Sequence, residues 1–222
     1  MFNFANYDYF VFDCDGVILD SNRLKSQAFA SALPGEPDEL VQAFVEFHQH
    51  HGGISRYEKF RHYFQELKKT QDDEEKIRIA LKRFASIVKK GMIECDYVPG
   101  VLEFLNQAKS RGISLFVVSG SDEDELKEVF RHRNILNLFN QVYGSPTNKN
   151  DNTGKVIEMM GLQKNGCFFG DSKSDYVAAK RYGINFIFVK GYTDWKEGIK
   201  TVGEKNIIAN FLELLPKVVF EL

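Results

Sequence analysis

The feature that most constrains the fold of this chain is a series of short apolar runs, each followed by polar residues. The runs are rich in Val, Ile and Phe, and they cover residues 8–12, 113–118, 141–143, 166–169 and 184–189. Continuous apolar runs of this length are typical of strands that are buried on both faces of a parallel sheet. The sequence therefore predicts an α/β fold.

Helical patterns separate these runs after residue 95. They cover residues 101–108 behind Pro99-Gly100, 122–131 with Ser121 or Asp122 as the N-cap, 152–160 before Gly161, and 174–182 before Gly183. Glycine directly after a helical pattern is a common stop signal. Alternating strands and helices favour right-handed crossovers, so the pattern predicts a doubly wound parallel sheet.

The segment from about residue 20 to 95 breaks this alternation. It has no good strand candidate, and its helix-like segments cover 22–33, 38–50, 54–67 and 73–93. Consecutive helices without a strand favour a separate helical layer. The alternative is that these helices cover one face of the sheet as part of a single core.

Two aspartates, Asp13 and Asp15, follow the first apolar run. Residues two apart on a strand project to the same side, so the two carboxylates would repel each other where desolvation is costly. A cation relieves that repulsion, and carboxylate oxygens suit Mg²⁺. The alternative interpretation is a solvated Asp-x-Asp-Gly turn.

Three further strand candidates also end in polar groups. Ser119-Gly120 follows the second run, Lys149 lies in the polar loop after the third, and Asp171 follows the fourth, with Asp175 four residues later. In open α/β sheets, ligands bind outside the carboxyl ends of the strands. We therefore expect these groups to meet in one crevice.

The order Asp-x-Asp, Ser, Lys, Gly-Asp-x-x-x-Asp resembles the haloacid dehalogenase superfamily of phosphohydrolases, and the resemblance spans nearly the whole chain. Within it, the chain is similar to the phosphoglycolate phosphatase and β-phosphoglucomutase-like group. The resemblance implies a Rossmann-like catalytic core formed by residues 1–20 and 95–222. It also implies an inserted all-helical cap, residues 21–94, that determines substrate specificity.

The resemblance also implies roles for the acidic residues. Asp13 would be the nucleophile and form an aspartyl-phosphate. Asp15 would be the general acid and base, and an aspartate there favours phosphoester chemistry over dehalogenation. Mg²⁺ would be held by the side chains of Asp13 and Asp171 and by the backbone carbonyl of Asp15. Asp175 would support the metal site from behind, or simply occupy the first turn of the next helix.

The phosphate-binding residues implied are Ser119, the amide of Gly120, and a lysine. Ser119 could instead be a helix cap. Lys149 is the preferred lysine because of its loop setting at the carboxyl end of a strand, whereas Lys155 lies in the following helical pattern, where a solvated lysine is the ordinary outcome.

Substrate specificity is expected from the turn that contains Gly52 and Gly53, which precedes a helix opened by Ser55 and Arg56. A helix N-terminus beside a guanidinium favours an anion. We expect the turn to face the crevice and Arg56 to bind a polar or acidic group of the substrate. The alternative is an ordinary interhelical turn with an exposed Arg56.

The resemblance implies a Mg²⁺-dependent phosphatase that acts on a small phosphorylated metabolite. A phosphomutase like β-phosphoglucomutase would carry the same motifs. A phosphonate hydrolase would need a cap lysine that forms an imine, for which Lys25 and Lys59 are candidates. A catalytically silent binding protein is disfavoured because Asp13, Asp15 and Asp171 are all present.

The composition of the chain limits the classes of partner that we expect. The net charge of the 222 residues is −2, which provides no general attraction to nucleic acid or to anionic membranes. No apolar stretch approaches the roughly 20 residues that span a bilayer, and the N-terminus lacks the pattern of a secretory signal. The three cysteines, Cys14, Cys95 and Cys167, form no CxxC pair. An odd number without such pairs favours a reducing, cytoplasmic location.

Overall fold

The computed structural model describes residues 2–70 and 74–216. Six parallel strands form one sheet in the order β3-β2-β1-β4-β5-β6. Their bounds are Tyr9–Phe12 (β1), Ser114–Asp122 (β2), Gln141–Ser145 (β3), Gly166–Gly170 (β4), Asn185–Val189 (β5) and Ile207–Ile208 (β6). The predicted α/β class and the doubly wound, Rossmann-like parallel sheet are confirmed. The sequence did not reveal β6, because two residues are too few to show a strand pattern.

Helices occupy the segments between the strands. They are Asn22–Ser31 (α1), Asp38–His50 (α2), Arg56–His62 (α3), Glu74–Glu94 (α4), Val101–Ser110 (α5), Glu123–His132 (α6), Lys149–Met160 (α7), Lys173–Arg181 (α8) and Gly198–Val202 (α9). The last turn after α3, Tyr63–Leu67, is a π-helix.

The central strand β1 is buried on both sides, and its side chains alternate between two apolar clusters. Phe10 and Phe12 pack in the cluster that includes Phe104 of α5. Tyr9 and Val11 pack in the cluster on the opposite face, which includes residues of α7 and α8. Helices on both faces leave the carboxyl ends of the strands as the accessible edge of the sheet.

The helices α1 to α4 lie between β1 and β2, and the described residues from 22 to 94 contain no strand. They pack on one another through four aromatic side chains, Phe29, Phe44, Phe60 and Phe84. The ring centroids of these contacts lie 4.2–5.8 Å apart. An aromatic cluster of this kind stabilises the helices as a layer of their own. The division into a core of residues 1–20 and 95–222 and a cap of residues 21–94 stays a prediction.

In the described parts of the chain, no helix combines the length and the apolar character that crossing a bilayer requires.

Candidate active site

The site lies at the carboxyl ends of β1 and β4. The strand order reverses at this point of the sheet, with β2 and β3 on one side of β1 and β4 to β6 on the other. Such a reversal opens a crevice between the loops that leave the two neighbouring strands. Asp13 directly follows β1, and Asp171 directly follows β4. The topology therefore brings together two carboxylates that are far apart in the sequence.

Asp13 is held from both sides. Its backbone N–H donates to the carbonyl of Phe169 (2.9 Å), which continues the β1–β4 pairing by one residue. Its Oδ1 accepts a hydrogen bond from the amide of Cys14 (2.7 Å), and its Oδ2 lies 2.8 Å from Nζ of Lys149. The side chain is therefore fixed and almost completely buried.

Asp15 has a different environment. Its Oδ1 accepts a hydrogen bond from Ser21 (2.5 Å), and its Oδ2 contacts the ammonium of Lys25 and the hydroxyl of Ser121 (3.1 Å). Burial alone would raise the pKa of the Asp15 carboxyl, but the charge of Lys25 and these hydrogen bonds outweigh burial and lower it. The arrangement therefore favours ionised Asp15.

Gly16 permits the turn that separates the two aspartates from α1. Its φ is +73°, and its N–H donates to the carbonyl of Leu19 (2.8 Å). A Cβ at this position would collide with the carboxylate of Asp171 and would lie 2.6 Å from the side-chain nitrogen of Asn22. Only glycine combines this backbone conformation with so close an approach of the β4 loop.

Asp171 completes an acidic cluster with Asp13 and Asp175. One carboxylate oxygen from each residue lies within 4.8 Å of the other two. Burial raises the pKa of Asp13 to about 7, and the charges of Asp175 and Asp15 act in the same direction against that of Lys149. Burial, together with the charges of Asp13 and Asp175, also raises the pKa of Asp171 well above its usual value. The cluster therefore carries more negative charge than its neighbours compensate.

This donor set fits a small hard cation. Asp171 accepts a hydrogen bond through Oδ2 from Asn22 (2.7 Å), which leaves Oδ1 without a hydrogen bond within the described residues. Buried carboxylates with raised pKa values are stabilised when a divalent cation supplies the missing positive charge. Oxygen donors alone, without sulfur or imidazole, match Mg²⁺.

Asp175 has little capacity left to bind a metal. Its Oδ1 accepts a hydrogen bond from Lys149 (2.5 Å), and its Oδ2 accepts from the amide and the hydroxyl of Ser172 (3.0 and 2.6 Å). The contacts with Ser172 form the capping box of α8. The geometry therefore makes Asp175 a support for Lys149 as well as the third residue of α8, which completes the capping box with the N-cap Ser172.

Lys149 occupies a helix, and its predicted position in a loop is wrong. It is the first residue of α7, which begins three residues earlier than predicted because the side chain of Asn148 caps the amide of Asp151 (2.9 Å). Its ammonium lies between Asp13 and Asp175, and these two charges outweigh burial and raise the pKa of Lys149. Lys155, two turns further on, instead donates to Asn152 (3.0 Å).

The end of β2 contributes Ser119, Gly120 and Ser121. Ser119 is fully buried, and its Oγ accepts a hydrogen bond from the amide of Ser121 (3.1 Å). Its own hydroxyl proton remains available to an acceptor. Gly120 and Ser121 line the central cavity of the site, which has a volume of about 70 Å³. The role of Ser119 and Gly120 in binding phosphate stays a prediction.

The glycine turn reaches the sheet edge from the helical layer. The Gly53 carbonyl lies 2.5 Å from the position that a Cβ on Gly120 would take. Gly53 has a φ of +78°, and a Cβ there would collide with Ser174 and lie 2.9 Å from Nζ of Lys149. A Cβ on Gly52 would lie 3.1 Å from Cβ of Ser172. The turn therefore lies directly over the phosphate-binding candidates and lines the cavity.

Arg56 also lines the cavity, but it is not exposed. Its Nη1 forms an ion pair with Glu125 of α6 (2.6 Å), and its guanidinium lies 4.9 Å from the ring centre of Phe84. The alternative of an ordinary turn with a solvated Arg56 is therefore wrong. Glu125 therefore compensates the charge of Arg56, and the ion pair connects α3 of the helical layer to α6 beside the sheet. Binding of a substrate group by Arg56 stays a prediction.

Comparison with known proteins gives the family. The model of the haloacid dehalogenase-like hydrolases matches residues 10–189, which run from the second residue of β1 to the end of β5. The chain belongs to the haloacid dehalogenase-like hydrolase family. The predicted resemblance is confirmed, and Asp13, Lys149 and Asp171 all lie within the matched region.

Several relatives within or near this hydrolase family resemble the chain. A haloacid dehalogenase-like hydrolase domain-containing protein of Arabidopsis thaliana is 27% identical over 141 residues, which are 52% of this chain and 44% of that protein. Enolase-phosphatase E1 of Fusarium vanettenii is 25% identical over 83% of this chain and 86% of its own length. The crystal structure of a predicted phosphoglycolate phosphatase from Haemophilus somnus has a TM-score of 0.75 at 18% identity, covering 94% of this chain and 96% of that one. At that identity, the structural match shows the fold.

Sequence reasoning missed part of this hydrolase site. Asn22 donates to Asp171 after β4, and Lys25, which the sequence offered only as an imine-forming candidate, contacts Asp15 after β1. Their i, i+3 spacing could have shown a polar face of α1 directed at the site. Ser121 follows Ser119 by two residues and could have been found from strand alternation. His48 and Lys59 are in contact across two helices, and no local pattern reveals such a pair.

Proposed function

We propose that this family member is a Mg²⁺-dependent phosphatase that hydrolyses a small phosphorylated metabolite through an aspartyl-phosphate. The observation that supports this most is the placement of Asp13, whose buried carboxylate lies between a lysine and a second carboxylate, Asp171. The relatives from Fusarium and Haemophilus are both named as phosphatases. A cytoplasmic location and a small metabolite as the only class of partner stay predictions.

In the first step, an oxygen of Asp13 attacks phosphorus and the bond to the leaving alcohol breaks. Lys149 lies beside the attacking carboxylate and would balance the charge that develops on the phosphoryl oxygens. Ser119 and the Gly120 amide would donate hydrogen bonds to these oxygens. A Mg²⁺ ion held by Asp13, Asp171 and the carbonyl of Asp15 would neutralise the repulsion between carboxylate and phosphate.

Asp15 would transfer the protons. A protonated Asp15 gives its proton to the leaving oxygen as the alcohol departs, and ionised Asp15 then takes a proton from the water that attacks the aspartyl-phosphate. The second step releases phosphate, frees Asp13 and restores protonated Asp15. The contacts of Asp15 with Lys25, Ser21 and Ser121 favour the ionised form, which is the form needed between the two steps.

The test of this function is phosphate release from a panel of small phosphomonoesters. We expect turnover with Mg²⁺, loss of turnover with EDTA, and recovery when Mg²⁺ is returned in excess. Ca²⁺ should substitute poorly because its larger and more variable coordination shell holds the carboxylate and phosphorus less well in line. Full turnover in metal-free buffer would contradict the proposed metal site. Conversion of a sugar phosphate into its isomer without phosphate release would indicate a mutase.

The two lysines of α7 provide a matched pair of variants. Lys149→Met should lower kcat by about 10²-fold, because it removes the charge beside the transferring phosphoryl group. Lys155→Met should change kcat little, because Lys155 contacts Asn152 and the face of Tyr143. Steady-state phosphate release decides between them, with circular dichroism to show that both variants fold. The reverse ranking would assign the phosphate-binding role to Lys155.

A further inference from the structure

The metal-ligand candidate Asp171 is held at two points by residues outside the acidic cluster. Its Oδ2 accepts a hydrogen bond from Nδ2 of Asn22 (2.7 Å), and its backbone carbonyl accepts one from the hydroxyl of Thr193. Asn22 is the first residue of α1, and Thr193 lies in the loop after β5. Neither residue has a role in the proposed mechanism. Two segments outside β4 and its loop therefore fix the position of Asp171.

The amide of Asn22 is locked in one orientation. The same Nδ2 donates to the carbonyl of Tyr192 (2.7 Å), so both of its protons are used. If the amide were turned over, its oxygen would face a carboxylate and a carbonyl, which are both acceptors. The nitrogen is therefore held beside Oδ2 of Asp171, and this arrangement connects α1 to the loop after β5.

The two carboxylate oxygens of Asp171 differ in their surroundings. The backbone of Gly16 passes beside Oδ2, because a Cβ on this glycine would collide with Oδ2 and would lie 2.6 Å from Nδ2 of Asn22. Oδ1 accepts no hydrogen bond within the described residues. Asp171 therefore offers one free oxygen to a metal ion, while its other oxygen is enclosed and already bonded.

The donor to Asp171 also differs in charge from the donors to its neighbours. Asp13 and Asp175 both contact the ammonium of Lys149. Asp171 instead accepts from the neutral amide of Asn22. An ammonium compensates part of the negative charge that would attract a cation, whereas an amide orients a carboxylate without removing its charge. Asn22 therefore fixes the direction of Asp171 and leaves its charge for a metal ion.

We propose that Asn22 is a positioning residue that presents Asp171 as a one-oxygen ligand and thereby makes the metal site select Mg²⁺ over Ca²⁺. Mg²⁺ requires near-ideal octahedral geometry, so it depends on a ligand that is already directed at it. Ca²⁺ has a more variable shell and accepts a carboxylate through one oxygen or both. This inference rests on the metal site of the proposed function and names the residue that determines its selectivity.

The test measures metal binding without any substrate. Displacement of Mn²⁺, followed by its electron paramagnetic resonance signal, gives the Kd of the metal-free protein for Mg²⁺ and for Ca²⁺. Asn22→Leu keeps the approximate size of the side chain and removes both donors. Its Kd for Mg²⁺ should rise by about 10-fold or more, as is usual when the hydrogen-bond partner of a metal ligand is lost. Its Kd for Ca²⁺ should rise much less, because Ca²⁺ can use both oxygens of the released carboxylate.

The ratio of the two Kd values isolates geometry from charge, because both ions carry the same charge. Gln27→Ala changes an exposed, neutral residue of the same helix and should leave the ratio unchanged. Asn22→Ser removes the amide that reaches Asp171 but keeps a polar residue at the start of α1. It should lower the preference for Mg²⁺ even if Asn22→Leu does not fold. Equal weakening of both ions in the Asn22 variants would indicate a merely structural role and overturn the proposal.

A crystal structure with Mg²⁺ provides the direct observation. We expect Oδ1 of Asp171 on the ion and Oδ2 still bonded to Asn22, and coordination through both oxygens would overturn the proposal. A wild-type protein that bound Ca²⁺ as tightly as Mg²⁺ would overturn it as well, while leaving the phosphatase function intact. If neither ion displaced Mn²⁺, the proposal would fall together with the proposed metal site. A protein with the expected selectivity that hydrolysed no ester would contradict only the phosphatase proposal.

Discussion

Asp13→Asn is expected to abolish phosphate release, with a loss in kcat of about 10⁴-fold or more. Removing a covalent nucleophile usually costs on this scale, because what remains is positioning and electrostatic stabilisation by the rest of the site. The amide is nearly isosteric with the carboxylate and can still accept the hydrogen bond from the Cys14 amide. The loss should therefore come from chemistry and not from a displaced loop.

The stability of Asp13→Asn shows whether the loss of activity comes from chemistry or from a displaced loop. Because burial raises the pKa of Asp13 in the folded state, its ionised form destabilises the metal-free protein as pH rises above the pKa of the unfolded chain. Asp13→Asn removes that cost, so its unfolding temperature without metal at pH 7 should be no lower than that of the wild type. Asp8→Asn, before the other end of β1, should leave turnover unchanged. Phosphatase activity near the wild-type rate in Asp13→Asn would refute the nucleophile assignment.

The positions of the aspartates could be predicted from the sequence because strand ends are local features. A parallel sheet places the carboxyl ends of its strands at one edge, so Asp13, Asp171 and the last residues of β2 had to meet there. Local reasoning failed where a cap or an irregular turn decides the outcome. Asn148 moves the start of α7, and Tyr63–Leu67 forms a π-helix where the pattern predicts one continuous helical segment over residues 54–67.

The contacts that the helices of the helical layer make with each other and with α6 could not be predicted in the same way. The ion pair of Arg56 with Glu125 joins α3 to α6, and the Lys59–His48 contact joins α3 to α2. Both depend on how helices pack, which the pattern of one helix does not encode. A sequence does not distinguish a buried cation from a solvated one, so only the structure shows that Lys25 and Lys59 are buried.

Asp13 and Asp15 show how two carboxylates on one short loop acquire different chemistry. Asp13 lies in an acidic cluster, where burial raises its pKa, whereas Lys25 and two hydroxyl groups lower the pKa of Asp15. Such a divergence is typical of paired carboxylates with separate catalytic roles. The lowered pKa of Asp15 matches the ionised form that would act as the base of the second step, and its role as the acid of the first step stays a proposal.

Asp15→Asn is expected to lower kcat by about 10²-fold or more on alkyl phosphates, because the leaving alkoxide and the attacking water both lose their proton-transfer partner. The two losses can be separated with p-nitrophenyl phosphate, whose phenolate leaves without protonation. With this substrate the variant should still form the aspartyl-phosphate but hydrolyse it slowly. Rapid mixing should show a burst of p-nitrophenolate, about one equivalent per protein, followed by slow turnover. Alkyl phosphates should give no burst.

The amide of Asp15→Asn can keep a hydrogen bond with Ser21, but it loses the charge that attracts Lys25, so folding must be checked by circular dichroism. Asp20→Asn changes a partly buried carboxylate in the same loop and serves as the matched control, with both steps unaffected. If the rate of Asp15→Asn relative to the wild type did not vary with the leaving-group pKa, Asp15 would not be the acid of the first step. A burst followed by normal turnover would exclude Asp15 as the base of the second step, because the aspartyl-phosphate would then be hydrolysed at the normal rate without this carboxylate. We expect slow hydrolysis instead, since the contacts with Lys25, Ser21 and Ser121 favour the ionised Asp15 that this step needs.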